Sequence, residues 1–392
     1  MKYLFPPNIR YMKVYFKNLD GIRFIAALLV ILQHTSEYKA DTHAALPNSM
    51  LHQFKEFGGY GVTLFFVLSG FLIFYLLFAE HEFKKTISVK SFYIRRVLRI
   101  WPLYFGFGLI QIFGIDWAMK HMGNPVDTPV LENLFYLFTF SINLQLLFAT
   151  LNRGIIELYW SVCIEEQFYL LAPWLVKKWY KSILYIILGM IAIAFVFKFY
   201  MRYLDVSQGV DFNNNNPLYL FTLCRIDNFG MGILAAYIYF NKNIYAKVEK
   251  YVTNKWIQVC VALFTLLYMI KVIPMPQFEQ DYFFATTPSI LYAYLILAAS
   301  TGNFFVNLEK PILKSLGKYS YGIYVYHAVL SQLVLMAFMK MIPGKNIFTY
   351  DILYPITSVI VTAVVAGLSY ELYEKHFMKL KQKFTIIKNR DV

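Results

Sequence analysis

The stretch LDGIRFIAALLVILQHTS, residues 19–36, is apolar enough to enter a membrane, yet it contains an aspartate, an arginine and a histidine. Ionisable side chains inside a membrane usually face a bundle interior or a water-filled cavity. At about 100° per residue, Arg23 and His34 fall within about 20° of each other on a helix, and Asp20 within about 40° of His34. The stretch therefore predicts a membrane helix with one polar stripe.

Two simpler explanations of this stripe stay open. Asp20 and Arg23 also suit an interfacial ion pair at the start of the helix. His34 also suits a residue near the opposite membrane surface that reaches headgroup water.

The composition of the whole chain indicates a membrane protein. The chain has 392 residues, of which 58% are apolar and 15% charged, and apolar runs such as 62–78 and 182–197 recur along it. This predicts an all-α, polytopic membrane helix bundle. The net charge of +14 comes largely from short basic loops beside the apolar runs, an arrangement that orients membrane helices and does not indicate nucleic-acid binding.

The apolar runs predict eleven helical segments, at about 20–37, 58–79, 100–117, 131–148, 158–176, 182–201, 217–240, 255–273, 285–301, 316–339 and 352–373. Most lysines and arginines would share one side of the membrane if segment 131–148 does not cross fully. We therefore predict about ten transmembrane helices, a re-entrant or interfacial element at 131–148, and both termini on the cytoplasmic side of the membrane. Lys120 and Arg153 would then both be external. Eleven spans with an external C-terminus are the alternative.

Three regions follow from this topology. Residues 1–18 are a cytoplasmic N-terminal segment, 19–378 the membrane domain and 379–392 a basic cytoplasmic tail. Within the domain, residues 84–99 alternate basic and apolar side chains, which predicts an amphipathic interfacial helix. The three cysteines all lie in apolar segments, so we expect neither a disulfide framework nor a zinc site.

A second polar stripe occurs in LYWSVCIEEQFYLLAP, residues 158–173. Three polar residues spaced by four share one helix face: Ser161, Glu165 and Tyr169. A carboxylate that orients an imidazole and stabilises its charged form makes that imidazole a better base, so we expect Glu165 to serve His34. Because Tyr159 and Trp160 are typical of membrane interfaces, solvated glutamates at the surface are the alternative.

Further charged residues interrupt other apolar segments. Arg95, Arg96 and Arg99 suit phosphate binding through bidentate hydrogen bonds, and equally suit anchoring to lipid headgroups. Two further charged residues and a histidine have either a functional or a packing role: Arg225, Asp227 and His327. Gly230 and Gly232 near the first two would allow close helix approach.

Six of these segments, in this order, resemble the signatures of acyltransferase family 3. They are LDGIRFIAALLVILQH, GGYGVTLFFVLSGFLI, FYIRRVLRIWPLY, YWSVCIEEQFYLLAPWL, RIDNFGMGILAA and YSYGIYVYH. The family comprises integral-membrane acyltransferases that modify bacterial surface polysaccharides and related lipids. The resemblance extends from about residue 18 to about residue 378.

The resemblance implies a ten-span fold in the bacterial inner membrane and an acyl-coenzyme A donor that approaches from the cytoplasm. In the family's R-x10-H pattern, here Arg23 and His34, the histidine is catalytic. The R-R-x-x-R element falls on Arg96 and Arg99, with Arg95 beside them. The W-S-x-x-x-E element falls on Trp160, Ser161 and Glu165. Many relatives carry an additional extracytoplasmic SGNH-type hydrolase domain. We expect the function of that domain to be performed here by the membrane domain or by a separate protein.

We therefore expect an O-acyltransferase that moves an acyl group, expected to be acetyl, to a hydroxyl of a cell-surface or lipid-linked carbohydrate. The donor would be a substrate, with no bound cofactor and no metal. Arg95, Arg96 and Arg99 would hold its phosphates. His34 would act as general base or carry the acyl group, with Glu165 as its partner. Supporting residues would be Asp20, Arg23, Trp160, Ser161 and Tyr169.

Several readings of this function stay open. Succinyl or longer acyl groups fit the residues as well as acetyl does. Direct transfer and an acyl-histidine intermediate both fit the mechanism. A membrane transport component for a sugar lipid or an acyl group, with no transferase activity of its own, is the alternative from another class.

Overall fold

The computed structural model describes residues 12–41, 56–115, 117, 121, 129–149, 154–212, 215–342 and 346–388. The α-helices in these residues are α1 Leu19–Asp41, α2 Phe57–Lys84, α3 Val89–Leu109, α4 Val130–Phe138, α5 Ile142–Phe148, α6 Trp160–Trp179, α7 Ile183–Arg202, α8 Pro217–Leu220, α9 Thr222–Phe240, α10 Lys242–Val252, α11 Lys255–Met269, α12 Gln277–Tyr282, α13 Thr286–Ser300, α14 Pro311–Lys318, α15 Ser320–Met341, α16 Tyr354–Ser369 and α17 Lys375–Gln382. Two two-residue strands, β1 Met12–Lys13 and β2 Ile387–Lys388, pair in parallel.

Six helical stretches of the described chain are long and apolar enough to cross a membrane, or up to seven if the bent pair α10–α11 forms one span. The predicted all-α, multi-pass bundle is confirmed, but the predicted count of about ten helices is not. One of the six stretches, Ile156–Ser207, contains both α6 and α7, which have 20 residues each. Helix α13 has only 15 residues, fewer than the roughly 20 that a perpendicular crossing needs.

The segment expected to be re-entrant or interfacial is broken into two short helices. Helices α4 and α5 have 9 and 7 residues, and Phe140 between them has a φ of 51°. The polar side chains of this segment bond inside the protein: Asn143 Nδ2 donates to the Leu220 carbonyl at 3.1 Å, and Gln145 Nε2 to Asn133 Oδ1 at 2.7 Å. The segment is therefore two short helices and not one continuous helix of spanning length. Residues 120 and 153, whose external location was predicted, lie outside the described residues.

Helix α2 lies at the centre of the bundle, with α1 and α9 packed closely against it. A Cβ atom on Gly61 would lie 2.5 Å from the Ala26 carbonyl oxygen, and one on Gly232 would lie 2.1 Å from that of Val67. Neither position has room for a side chain, so helix backbones meet here. The predicted close packing at Gly232 is confirmed.

Helices α1 and α2 run antiparallel and define two ends of the bundle. Phe16, just before α1, packs on Tyr75 near the end of α2, with ring centroids 4.7 Å apart. Gln33, near the end of α1, accepts a hydrogen bond from the Gly59 amide at the start of α2. We call the end where α1 begins the near end, and the end where α1 finishes the far end.

The prediction of a separate interfacial helix at 84–99 is wrong. Lys84 ends α2, and the arginines of this segment belong to α3, which continues through Pro102 to Leu109. The three arginines consequently lie on a helix that packs in the bundle, and Arg96 lies over the ring of Tyr169 at 5.5 Å.

Candidate functional site

An elongated cavity of about 430 Å³ opens among α1, α2, α3, α6, α15 and α17. Along α2 its lining extends from Val62 to Glu80, which corresponds to about 27 Å of helix at ~1.5 Å per residue. Much of the wall is apolar, formed by Val62, Phe65, Leu68, Leu72, Ile73 and Leu76. The cavity is therefore long enough for an extended chain to pass through much of the bundle.

Five basic side chains line the cavity at its near end: Arg23, Arg95, Arg96, Arg99 and Lys381. The structure thus brings the predicted arginines together and adds Lys381, which lies in the predicted basic cytoplasmic tail. Two of the five are paired. Arg23 Nη1 lies 2.5 Å from Asp20 Oδ1, and Arg95 Nη2 lies 3.2 Å from Glu80 Oε2.

The other three form what we call the basic cluster: Arg96, Arg99 and Lys381. None of them has an ion-pair partner among the residues that the structure describes. The buried Nε of Arg96 has no hydrogen-bond partner there either. The cluster can therefore accept a ligand with more than one negative charge.

The predicted polar stripe of α6 faces the middle of the cavity. Ser69 Oγ donates to Glu165 Oε1 at 2.7 Å, and the Tyr169 hydroxyl lies 3.2 Å from Oε2 of the same carboxylate. Glu166 lies on another face, where it accepts a hydrogen bond from Trp101 at 3.1 Å. Glu165 is thus a cavity residue held by two hydroxyl groups.

At the far end of the cavity, the hydroxyls of Ser161 and Tyr324 lie 2.5 Å apart. The Tyr324 hydroxyl also donates to the Leu158 carbonyl at 3.0 Å, so the hydrogen between the two hydroxyls comes from Ser161. Trp160 does not line the cavity in the described chain. It packs on Tyr219, with ring centroids 4.5 Å apart.

His34 lies beyond this point and is not among the described residues that line the cavity. Its Nδ1 is 2.8 Å from Glu37 Oε2, and Glu37 also accepts a hydrogen bond from Gln33 Nε2 at 2.8 Å. The predicted partnership of His34 with Glu165 is therefore not what the structure has: the carboxylate beside His34 is Glu37. Glu37 was not predicted from the sequence. Its spacing could have indicated it, because residues three apart on a helix, such as His34 and Glu37, are neighbours.

His327 is fully buried beside His34, with ring centroids 5.1 Å apart. Its Nδ1 lies 2.5 Å from the carbonyl oxygen of Tyr324. Because a carbonyl only accepts hydrogen bonds, Nδ1 carries the hydrogen and Nε2 is left as an acceptor. We call His34 and His327 the histidine pair. The Tyr324 ring lies between that pair and the cavity, since it contacts His327 at 5.5 Å and Phe65 at 6.0 Å.

The charged residues of α9 lie away from the cavity lining. Arg225 donates to Thr63 Oγ1 at 2.9 Å and lies 5.1 Å from the ring of Tyr219. Asp227 pairs with Lys198 at 2.5 Å, and Thr286 donates to the same carboxylate. Both residues have partners within the bundle, which favours the packing role for them.

The described residues contain no group of three or more His, Cys, Asp or Glu side chains that could hold a metal ion. Cys163 and Cys224 are buried and free, and Cys260 is exposed and free. The polar chemistry of the site therefore comes from arginine, lysine, histidine, carboxylate and hydroxyl groups.

The order of these elements along the chain matches a known family. The model of an acyltransferase domain, that of acyltransferase family 3, matches residues 16–374. The chain belongs to acyltransferase family 3. The matched range includes every residue of the cavity and histidine pair except the C-terminal segment, so Lys381 lies outside the family match.

Relatives of this family 3 acyltransferase domain carry names that specify acetyl transfer. A candidate O-acetyltransferase of Staphylococcus aureus (strain COL) is 27% identical over 387 residues, covering 93% of this chain and 58% of that protein. The peptidoglycan O-acetyltransferase OatA of Listeria monocytogenes serovar 1/2a (strain ATCC BAA-679 / EGD-e) is 26% identical over 383 residues, covering 94% and 57%. A candidate peptidoglycan O-acetyltransferase of Bacillus subtilis (strain 168) is 26% identical over 380 residues, covering 92% and 54%.

The family 3 chain spans somewhat more than half the length of these relatives. No solved structure matches it significantly.

Proposed function

We propose that this protein is a membrane O-acetyltransferase that moves an acetyl group from acetyl-coenzyme A to a hydroxyl of a cell-surface or lipid-linked carbohydrate. The observation that carries this proposal is the cavity, which has the basic cluster at one end and Tyr324 at the other. Tyr324 in turn contacts His327 of the histidine pair. The names of the relatives favour O-acetyl transfer, and two of them favour peptidoglycan as the acceptor.

The donor would enter the cavity at its near end. Coenzyme A carries several phosphate charges, and arginine and lysine bind phosphates through charge-assisted hydrogen bonds. The basic cluster would hold these phosphates, with Arg23 and Arg95 beside it. The thin pantetheine arm would then lie along the apolar wall of α2, which brings the thioester toward Ser161 and Tyr324.

His34 would do the chemistry at the far end. Its Nδ1 faces Glu37, so the ring donates there and presents Nε2 as the base. Nε2 takes the proton of the acceptor hydroxyl while the oxygen forms the new ester bond to the acetyl carbon. The carbon–sulfur bond breaks, and the proton passes to the coenzyme A thiolate. In the two-step form, His34 Nε2 first bonds to the acetyl carbon as the carbon–sulfur bond breaks and the coenzyme A thiolate leaves. The acceptor oxygen then takes the acetyl group, the carbon–nitrogen bond breaks, and the proton of the hydroxyl passes to the thiolate.

Glu165 would act from within the donor cavity. Ser69 and Tyr169 fix its carboxylate, and Ser161 lies one helical turn before it on the same face. In this position it would orient the donor arm, while Glu37 stabilises the charge on His34. Asp20 would position Arg23 through their ion pair, and Trp160 would support the wall of α6.

The charge distribution supports a proposed orientation in the membrane. Short basic segments favour the cytoplasmic side, which would place the near end of the bundle and both termini in the cytoplasm of the inner membrane. A cytoplasmic donor and an outward acceptor would then meet across the bundle. A separate extracytoplasmic transferase would be required where the acceptor lies beyond the reach of the far end.

The test is acetyl transfer by the full chain in lipid nanodiscs with radiolabelled acetyl-coenzyme A and purified peptidoglycan as acceptor. We expect label in the acceptor with the wild type and none with His34→Ala. Mass spectrometry of glycans from cells with and without the gene identifies the acceptor in the native envelope. A transport component without transferase activity would leave acetyl-coenzyme A unconsumed in the purified system, which would contradict the proposal.

A further inference from the structure

The C-terminal segment covers the near end of the cavity. Five of its residues line the cavity, from α17 to the strand β2: Met378, Lys381, Gln382, Thr385 and Ile387. Two contacts hold the segment in place. Arg95 Nη1 donates to the Phe384 carbonyl at 3.0 Å, and β2 pairs with β1 at the opposite end of the chain. The segment is therefore a fixed wall of the cavity.

Lys381 is the one basic residue of this segment that lines the cavity among those described. Lys379 and Lys383 are exposed, and Lys375 is paired with Glu371. Lys381 is half-buried, and it lines the same cavity as four arginines: Arg23, Arg95, Arg96 and Arg99. The C-terminal segment thus places the positive charge of Lys381 in a cavity that already holds four arginines.

Such an arrangement is unfavourable without an anion. Like charges held together in a partly buried site repel one another, and each also loses hydration. Two of the four arginines have carboxylate partners, but the basic cluster has none in the described chain. A ligand with two or more phosphate charges would relieve the repulsion at all three residues.

We propose that Lys381 binds a phosphate of the donor together with Arg96 and Arg99, so that the C-terminal segment is part of the donor site. This inference rests on the proposed function, because it takes acyl-coenzyme A as the phosphorylated ligand. Anionic lipid headgroups offer the same phosphate chemistry, and the experiment separates the two sources.

The experiment measures the Kd for coenzyme A by calorimetry on the full chain in neutral-lipid nanodiscs. The variants are Lys381→Gln, Lys381→Arg and the matched control Lys379→Gln, which changes an exposed lysine on the same helix. A lost charge-assisted contact is worth about 10- to 100-fold in affinity. We expect that increase in Kd for Lys381→Gln, a Kd near the wild-type value for Lys381→Arg, and no change for Lys379→Gln. The kcat/KM with acetyl-pantetheine, which carries no phosphate, should be equal in all four proteins.

Each other outcome has a distinct meaning. A wild type that does not bind coenzyme A overturns the proposed function itself. A wild type that binds, with an unchanged Kd in Lys381→Gln, overturns this inference alone. Equal losses in Lys381→Gln and Lys379→Gln also overturn it, because general charge would then explain the effect. The same Kd is also measured in phosphatidylglycerol nanodiscs. If Lys381→Gln loses affinity for coenzyme A only there, Lys381 acts on lipid headgroups, and its role in the donor site is overturned.

Discussion

The hydroxyl groups of Ser161 and Tyr324 lie 2.5 Å apart at the far end of the cavity, and the ring of Tyr324 stands between that cavity and His327. Tyr324 is held from two sides, since its hydroxyl also donates to the Leu158 carbonyl. A donor arm that fills the cavity therefore meets an aromatic ring before it reaches the histidine pair.

Tyr324→Phe should keep the ring and lose both hydrogen bonds. A net loss of roughly 0.5–1.5 kcal/mol in stability is typical of one such bond, so the thermal unfolding midpoint should fall. We expect a lower kcat, because the ring is no longer held in one position beside His327. The Kd for coenzyme A should stay unchanged, since the basic cluster lies at the other end of the cavity. A large change in that Kd would contradict this arrangement.

Gly232→Ala tests the close packing of α9 on α2. The new Cβ would lie 2.1 Å from the Val67 carbonyl oxygen, so the helices must separate, and overpacking of this kind costs about 1–3 kcal/mol. The matched control is Gly189→Ala in α7, where a Cβ would meet no atom within 4 Å. Chemical unfolding in detergent should show a loss of stability for the first variant only. Equal stability of both variants would mean that α9 does not sit this close.

The class of fold and much of the site could be predicted from the sequence, because both rest on local patterns. Apolar runs indicate membrane helices wherever they fold, and the four-residue spacing of Ser161, Glu165 and Tyr169 fixes a common face on any helix. The structure places that face in the cavity, together with the arginines of α3.

The partners across the bundle could not be predicted, because they depend on how helices pack and not on spacing within one helix. The sequence offered Glu165 as the carboxylate for His34, but the packing of α6 turns it toward Ser69, and the neighbour of His34 comes from its own helix. The sequence predicts a basic cytoplasmic tail at Lys381, because nothing in the neighbouring residues shows that this segment folds back over the cavity. The span count differed for the same reason, since apolar length does not show where a helix bends or ends.

Arg96→Ala and Arg99→Ala should weaken donor binding more than acceptor binding. Each removes one cation of the basic cluster, and a charge-assisted contact is worth about 10- to 100-fold. We expect the KM for acetyl-coenzyme A to rise by that factor, with little change in the KM for the acceptor. Lys90→Ala, an exposed residue of the same helix, is the matched control. Variants that bind coenzyme A normally but reach the membrane in reduced amounts would show that these arginines anchor the helix to lipid.

His34→Ala should abolish transfer, since general-base catalysis contributes about 10² to 10⁴ in rate, and an acyl carrier at this position would be lost as well. Coenzyme A binding and protein yield should be close to wild type, because His34 does not line the described cavity. His376→Ala, which changes an exposed histidine, is the control and should transfer normally. Radiolabel counts in the acceptor measure both variants. Normal turnover by His34→Ala would exclude this residue as base and as acyl carrier.

Glu37→Gln and Glu165→Gln should lower the rate through separate sites. Glu37 faces His34 Nδ1 at 2.8 Å, so the amide could still position the ring but could not stabilise its positive charge, and kcat should fall with little change in KM. Glu165 lies in the donor cavity between Ser69 and Tyr169, so its loss should affect the KM for acetyl-coenzyme A as well. Mutations at sites with no shared partner usually add in free energy. The double variant should therefore show the product of the two single losses in kcat/KM, measured under single-turnover conditions. A double variant no worse than the more impaired single variant would show instead that the two glutamates act as one unit on His34.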